Sequence, residues 1–171
     1  TIGYQANHAD YNGGTYNHVI GYRAGYNNVG SFCHLEGFQA GHYNQGNNSQ
    51  FIGYLTGYNN TTGASNFFIG SAAGYTNTSG SQNHFLGYQA GYANTTATGN
   101  QFEGNQSGFK NTSGTQNQFA GFQSGYNNTS GHYNFFDGYK AGFSNVIGQN
   151  NYFSGYQAGY SNTTDNNHFV G

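Results

Sequence analysis

The chain has 171 residues, of which only 5% are charged, with a formal net charge of −2. An ordinary globular protein is about 25% charged, and this balance leaves no basic face for a phosphate backbone, which excludes nucleic acid as a partner. Apolar runs stop at two or three residues, too short to insert in a membrane, and the lone Cys33 permits no intramolecular disulfide.

From the first residues onward the chain repeats one phrase. A glycine stands at Gly3, Gly21, Gly37, Gly53, Gly70, Gly87, Gly104, Gly121, Gly138, Gly155 and Gly171, in steps of 16 to 18 residues and most often 17. Two places before this anchor lies an apolar column: Val19, Leu35, Phe51, Phe68, Phe85, Phe102, Phe119, Phe136, Phe153 and Phe169. One place after it stands an aromatic residue in most repeats, interrupted at Ser71 and Asn105. Three places after it the residue is small, as at Ala24, Thr56, Ala90 and Ser124; five places after it an aromatic or His returns, as at Tyr26, His42 and Tyr58. Asn closes the phrase seven places after the anchor, from Asn28 to Asn162, with Asp10 in the first repeat.

A period this regular means one supersecondary unit stacked about ten times. Columns two residues apart have strand periodicity, and Gly every few residues disfavours helix. Each repeat therefore reads as two short strands joined by glycine turns, with Asn-Thr-Thr-Gly and Asn-Thr-Ser-Gly as turn segments. The predicted fold is all-β, a parallel β-solenoid of about ten turns with a ~17-residue repeat and a length of roughly 50 Å. Like residues then lie over like, and Phe, Tyr and Asn ladders run along the axis. Phe51, Phe68, Phe85, Phe102, Phe119, Phe136 and Phe153 are the expected core ladder, with the second aromatic column also inside. Gln106 and Gln123 are expected to face outward and to tolerate Ala within about 0.5 kcal/mol. Residues 1–171 form a single repeat domain that opens and closes inside a repeat, and is expected to continue or stack beyond both ends.

The segments Ile20-Gly-Tyr-Arg-Ala24, Ile52-Gly-Tyr54, Ile69-Gly-Ser-Ala-Ala73 and Leu86-Gly-Tyr-Gln-Ala90 resemble the repeats of trimeric autotransporter adhesin heads. The phrase is still more similar to the Gly-Tyr-Gln-Ala-Gly-Tyr arrays of large bacterial surface and fibre proteins. The resemblance implies an extracellular stalk or head, with a trimer as one form. In such heads the place before the anchor is aliphatic and faces the subunit axis. Ile20, Ile52, Ile69 and Leu86 follow that pattern; Glu36, Glu103, Asp137 and Ser154 depart from it. Carboxylates on a dry axis would each cost several kcal/mol or be protonated. Either the axis is wet, or this face makes another contact, or it is solvent-exposed. Its mixed character suits a protomer–protomer interface carrying Ile20, Ile52, Phe67, Ile69 and Leu86.

The chemical sites are sparse. Cys33, His34 and Glu36 are adjacent, but Cys33 should point away from His34, which is poor geometry for a nucleophile or a metal. No metal and no cofactor is expected, and Glu103 and Asp137, two rungs apart, are badly placed for glycoside hydrolysis. Enzymatic activity is not expected. Asn60, Asn77, Asn94, Asn111, Asn128 and Asn162 all head Asn-Thr-Thr or Asn-Thr-Ser sequons. They read as an internal amide ladder or as glycosylation sites. Stacked Thr61, Thr78, Thr95, Thr112 and Thr129 leave an ice-binding solenoid as one alternative, and an adhesin head binding surface glycans as another. The expected role is a structural one: a filament, stalk or sheath at the cell surface whose partners are copies of itself.

Overall fold

The computed structural model describes residues 1–8 and 14–171. Each lap of the chain contributes one three-residue strand: β1 (His18–Ile20), β2 (His34–Glu36), β3 (Gln50–Ile52), β4 (Phe67–Ile69), β5 (His84–Leu86), β6 (Gln101–Glu103), β7 (Gln118–Ala120), β8 (Phe135–Asp137), β9 (Tyr152–Ser154) and β10 (His168–Val170). Among the described residues there is no helix. The strands form a single ten-stranded sheet in sequence order, every pair parallel. Register keeps like over like, with Phe51 on Phe68, Phe68 on Phe85 and Phe136 on Phe153. The molecule is a parallel β-solenoid, and nine steps between ten strands give a rod of about 43 Å at ~4.8 Å per step.

Strand alternation sends the middle residue inward. Phe51, Phe68, Phe85, Phe102, Phe119, Phe136 and Phe153 are all 0% exposed. Their rings stack at centroid distances of 4.7 to 5.0 Å. Burying one such side chain stabilises by about 1.5–3 kcal/mol. The ring spans the whole interior: a Cβ built on Gly91, on the opposite wall, would lie 2.4 Å from the Phe85 ring. The strand and the stretch around Gly91 are therefore two walls separated by one phenyl ring.

The opposite wall is not a second strand. Gln89 has φ 54 and Gly91 φ 58. Amides bond back to carbonyls three residues earlier, Ala90 to Gly87 at 3.3 Å, Tyr92 to Gln89 at 3.3 Å and Asn94 to Gly91 at 3.0 Å. Overlapping β-turns result, the first two with a left-handed third residue, Gln89 and Gly91. Inter-rung bonds nevertheless continue through them, for example from the Gly91 amide to the Ser107 carbonyl at 2.9 Å. Because this wall is built of turns, columns two residues apart do not share a face. Ala90 points in and is 0% exposed, whereas Tyr88 is exposed and the Tyr92 column packs half-buried on the outer side of the wall, His42 alone among its members being buried. The expectation of a second interior aromatic column is thus corrected.

Two asparagine ladders complete the interior. Asn77 Nδ2 donates to Asn60 Oδ1 (2.6 Å) and to the Gly80 carbonyl (2.9 Å), and Asn94 Nδ2 donates to Asn77 Oδ1 at 2.6 Å. The same pattern runs from Asn28 to Asn145. Its first acceptor is Asn7; Asp10 lies outside the described residues. The second ladder, four places before the anchor, was not singled out in the sequence. Asn66, Asn83, Asn100, Asn117, Asn134 and Asn151 are buried there. Asn83 Oδ1 accepts the amide of Asn100 at 3.0 Å while its Nδ2 donates to the Ala97 carbonyl at 2.8 Å. Replacing Asn77 by Ala would strand the Asn60 oxygen and one Asn94 N–H. At about 1–3 kcal/mol for each buried unpaired group, unfolding of N77A should be easier by about 2–6 kcal/mol, read from urea titration.

Candidate functional site

Cys33 occupies the second Asn ladder's column. It is 2% exposed, its thiol donates to the Gly46 carbonyl at 3.4 Å, and its amide bonds Asn17 Oδ1 at 2.8 Å, as an Asn there would. Burial pushes the thiol's pKa up, which works against thiolate chemistry. His34 and Glu36 point out on the other side and touch at 3.3 Å. Among the described residues no three His, Cys, Asp or Glu side chains converge on one point as metal ligands.

Asn60, Asn77, Asn94, Asn111 and Asn128 are each 0% exposed, and their Nδ2 atoms spend both hydrogens on the ladder and a carbonyl. A sugar on Nδ2 would have to replace one of those bonds and enter a closed interior. Asn162 differs: its amide turns to Thr164 Oγ1 at 3.4 Å, and it accepts the Thr164 amide at 3.0 Å. Asn145 Oδ1, which would receive the next ladder bond, is left buried without a partner. In the adjacent column, Thr61, Thr78, Thr95, Thr112 and Thr129 donate their hydroxyls to carbonyls of the following rung at 2.8 to 3.1 Å. Only the next residue of each pair, Thr62, Ser79, Thr96 or Ser113, is exposed.

The surface is organised as two faces. The strand face carries the first and third residue of every strand. Ile20, Ile52, Phe67, Ile69 and Leu86 are all half-buried there, and Phe67 meets His84 edge-on at 4.7 Å. The same face holds Glu36, Glu103 and Asp137, with Glu103 accepting from Gln101 Nε2 at 2.8 Å.

The turn wall presents an aromatic face. His8, Tyr26, His42, Tyr58, Tyr75, Tyr92, Phe109, Tyr126, Phe143 and Tyr160 stack without a gap, neighbours 5.0 to 5.4 Å apart. A second ladder of exposed rings runs Tyr4, Tyr22, Phe38, Tyr54, and again Phe122, Tyr139, Tyr156. Where Ser71 and Ala72 replace the ring and the longer side chain, a hollow of about 280 Å³ opens, lined by Tyr54, Leu55, Tyr75, Tyr88 and Gln89. Arg23, Lys110 and Lys140 sit over rings of this face, Lys140 at 5.4 Å from both Tyr139 and Phe143. Such cation–π contacts contribute about 0.5–1 kcal/mol each at exposed sites.

One expectation about this face is corrected. Gln106 and Gln123 do not project freely: Gln106 Nε2 donates to Gln89 Oε1 at 3.0 Å and Gln123 Nε2 to Gln106 Oε1 at 2.8 Å. Loss of a partly exposed amide bond costs about 0.5–1 kcal/mol, so Q106A should shift the denaturation midpoint measurably. His42 is 5% exposed within the aromatic stack, and its Nδ1 has no partner. Burial holds its pKa below the ordinary 6.5. The unfolded chain then binds more protons between the two values, so this contribution to stability is whole above pH ~6.5 and falls away as pH drops through the window. His42→Phe, which keeps the stack, should flatten the pH dependence of the melting temperature below pH ~6.5 relative to the parent chain.

Comparison with known proteins gives no matching family model, no matching curated protein and no matching solved structure.

Proposed function

We infer that the chain is the rod of an extracellular fibre, stalk or sheath, assembled by end-to-end stacking of copies, by their lateral association, or by both. The observation that carries this reading is the continuity of the interior: Phe and Asn ladders run through consecutive rungs along one axis. Each rung contacts only its neighbours, so stability adds along the axis and length sets the reach of the object. Backbone bonds parallel to that axis resist extension, while phenyl stacks resist collapse of the coil. The low charge supports contact with neighbours, because solenoid and sheet surfaces that must stay apart are normally guarded by charge or Pro. Placement outside the cell rests on the resemblance of the Gly-Tyr-Gln-Ala-Gly-Tyr phrase to surface arrays.

Negative-stain imaging of native material tests the reading. Rods or bundles with a width of one or a few coils are expected. Dispersed particles no longer than a single chain, at every concentration, would refute it.

A further inference from the structure

We propose that copies lie side by side and parallel, the strand face of one against the aromatic face of the next, with corresponding rungs level. This deepens the fibre reading and rests on it for the existence of lateral contacts.

Charge is the first support. All three Lys and Arg residues of the chain, Arg23, Lys110 and Lys140, lie on the aromatic face. Glu36, Glu103 and Asp137 lie on the strand face, across a core one phenyl ring thick. Among the described residues no Lys or Arg pairs with a carboxylate inside the chain. One face is therefore cationic and its opposite anionic, which suits front-to-back contact between identical copies and disfavours front-to-front.

Height along the rod is the second support. Lys110 and Glu103 belong to the lap anchored at Gly104, and Lys140 and Asp137 to the lap anchored at Gly138. Level docking sets both pairs opposite each other and leaves Arg23 one rung from Glu36. A slip of one rung, about 4.8 Å, would place Lys110 against Ala120 or Leu86 instead.

Shape is the third. Phe67 and Ile69 point outward, half-buried, on the strand face in the lap anchored at Gly70; Ser71 and Ala72, which open the 280 Å³ hollow, belong to that same lap. Level parallel docking brings Phe67 of one copy to the hollow of the next, where it would complete the ring ladder between Tyr54 and Tyr88. Antiparallel docking also pairs the Lys and carboxylate groups, but sets Phe67 six rungs from the hollow. The contact is heterologous, so between opposite faces it propagates as a ribbon or sheet and does not close as a dimer.

Charge exchange tests it on the full chain. One variant carries Glu103→Lys and Asp137→Lys; the other carries Lys110→Glu and Lys140→Glu. Sedimentation velocity should show each alone associating laterally about tenfold more weakly than the parent, and the equimolar mixture recovering association, because every contact then joins unlike faces. Ser71→Tyr, which fills the hollow, should also weaken lateral association about tenfold while leaving the melting temperature unchanged or higher. Variants that associate like the parent, or a mixture that fails to recover, overturn the proposal. Parent filaments one rod wide that persist in every variant leave the fibre reading standing and refute the lateral contact. A parent chain that stays monomeric refutes both.

Discussion

Gly87→Ala should destabilise the rod by about 2–6 kcal/mol, backbone strain and an unrelieved clash acting together. The anchor glycine has φ 132, a region that residues with a Cβ rarely enter. Space is the second obstacle: the added Cβ would lie 2.6 Å from the Gly104 carbonyl oxygen and 2.7 Å from its carbon. Those atoms are backbone of the next rung and are held by inter-rung bonds, Gly104 N to Leu86 O at 2.8 Å among them. The clash cannot be relieved by a rotamer change, so the rungs must separate locally. Hydrogen exchange should show the loss concentrated in the laps on either side of Gly87, since each lap leans only on its neighbours. A change under 1 kcal/mol would mean that adjacent laps are not in backbone contact at the anchor.

Phe102→Ala and Phe119→Ala should each cost about 3–5 kcal/mol in urea or thermal unfolding. Both rings are 0% exposed and stack on each other at 4.8 Å. The interior at that level consists of the ring itself, with Gly108 at its far edge, so no side chain can swing in to fill the space. The contrast with Q106A, at about 0.5–1 kcal/mol, separates the inward column from the outward one. Equal losses at Phe102 and Gln106 would contradict the assigned registers.

The columns that define the lap were legible because each keeps one residue type. The anchor glycines and the Phe column place the strand and its inward residue, and the Asn column seven places on predicts an amide ladder. The second Asn ladder was hidden by its early members, Cys33 and Ser49, which do the same work with other atoms. The turn wall reads as strand in the sequence because its first left-handed position, two places after the anchor, carries side chains that do not announce a turn: Gln89, Arg23 and Lys140 have φ between 51 and 54. No glycine marks those positions, and a hydrophobic period of two persists through them. Without the turn wall, the aromatic face could not be separated from the core, and the division of cations and carboxylates between opposite faces had no geometry to attach to. The functional surfaces are therefore legible only after the lap is traced.

Nuclear Overhauser contacts in the isotopically labelled chain test the central claim most directly. If every lap lies in register on the one before, side-chain amide contacts should link Asn60 to Asn77, Asn77 to Asn94 and Asn94 to Asn111, and ring contacts should link Phe85 to Phe102 and Phe102 to Phe119, all at a separation of one repeat. Contacts three or four residues apart along the chain, or cross-strand contacts of an antiparallel hairpin with no contacts at the repeat distance, would contradict it.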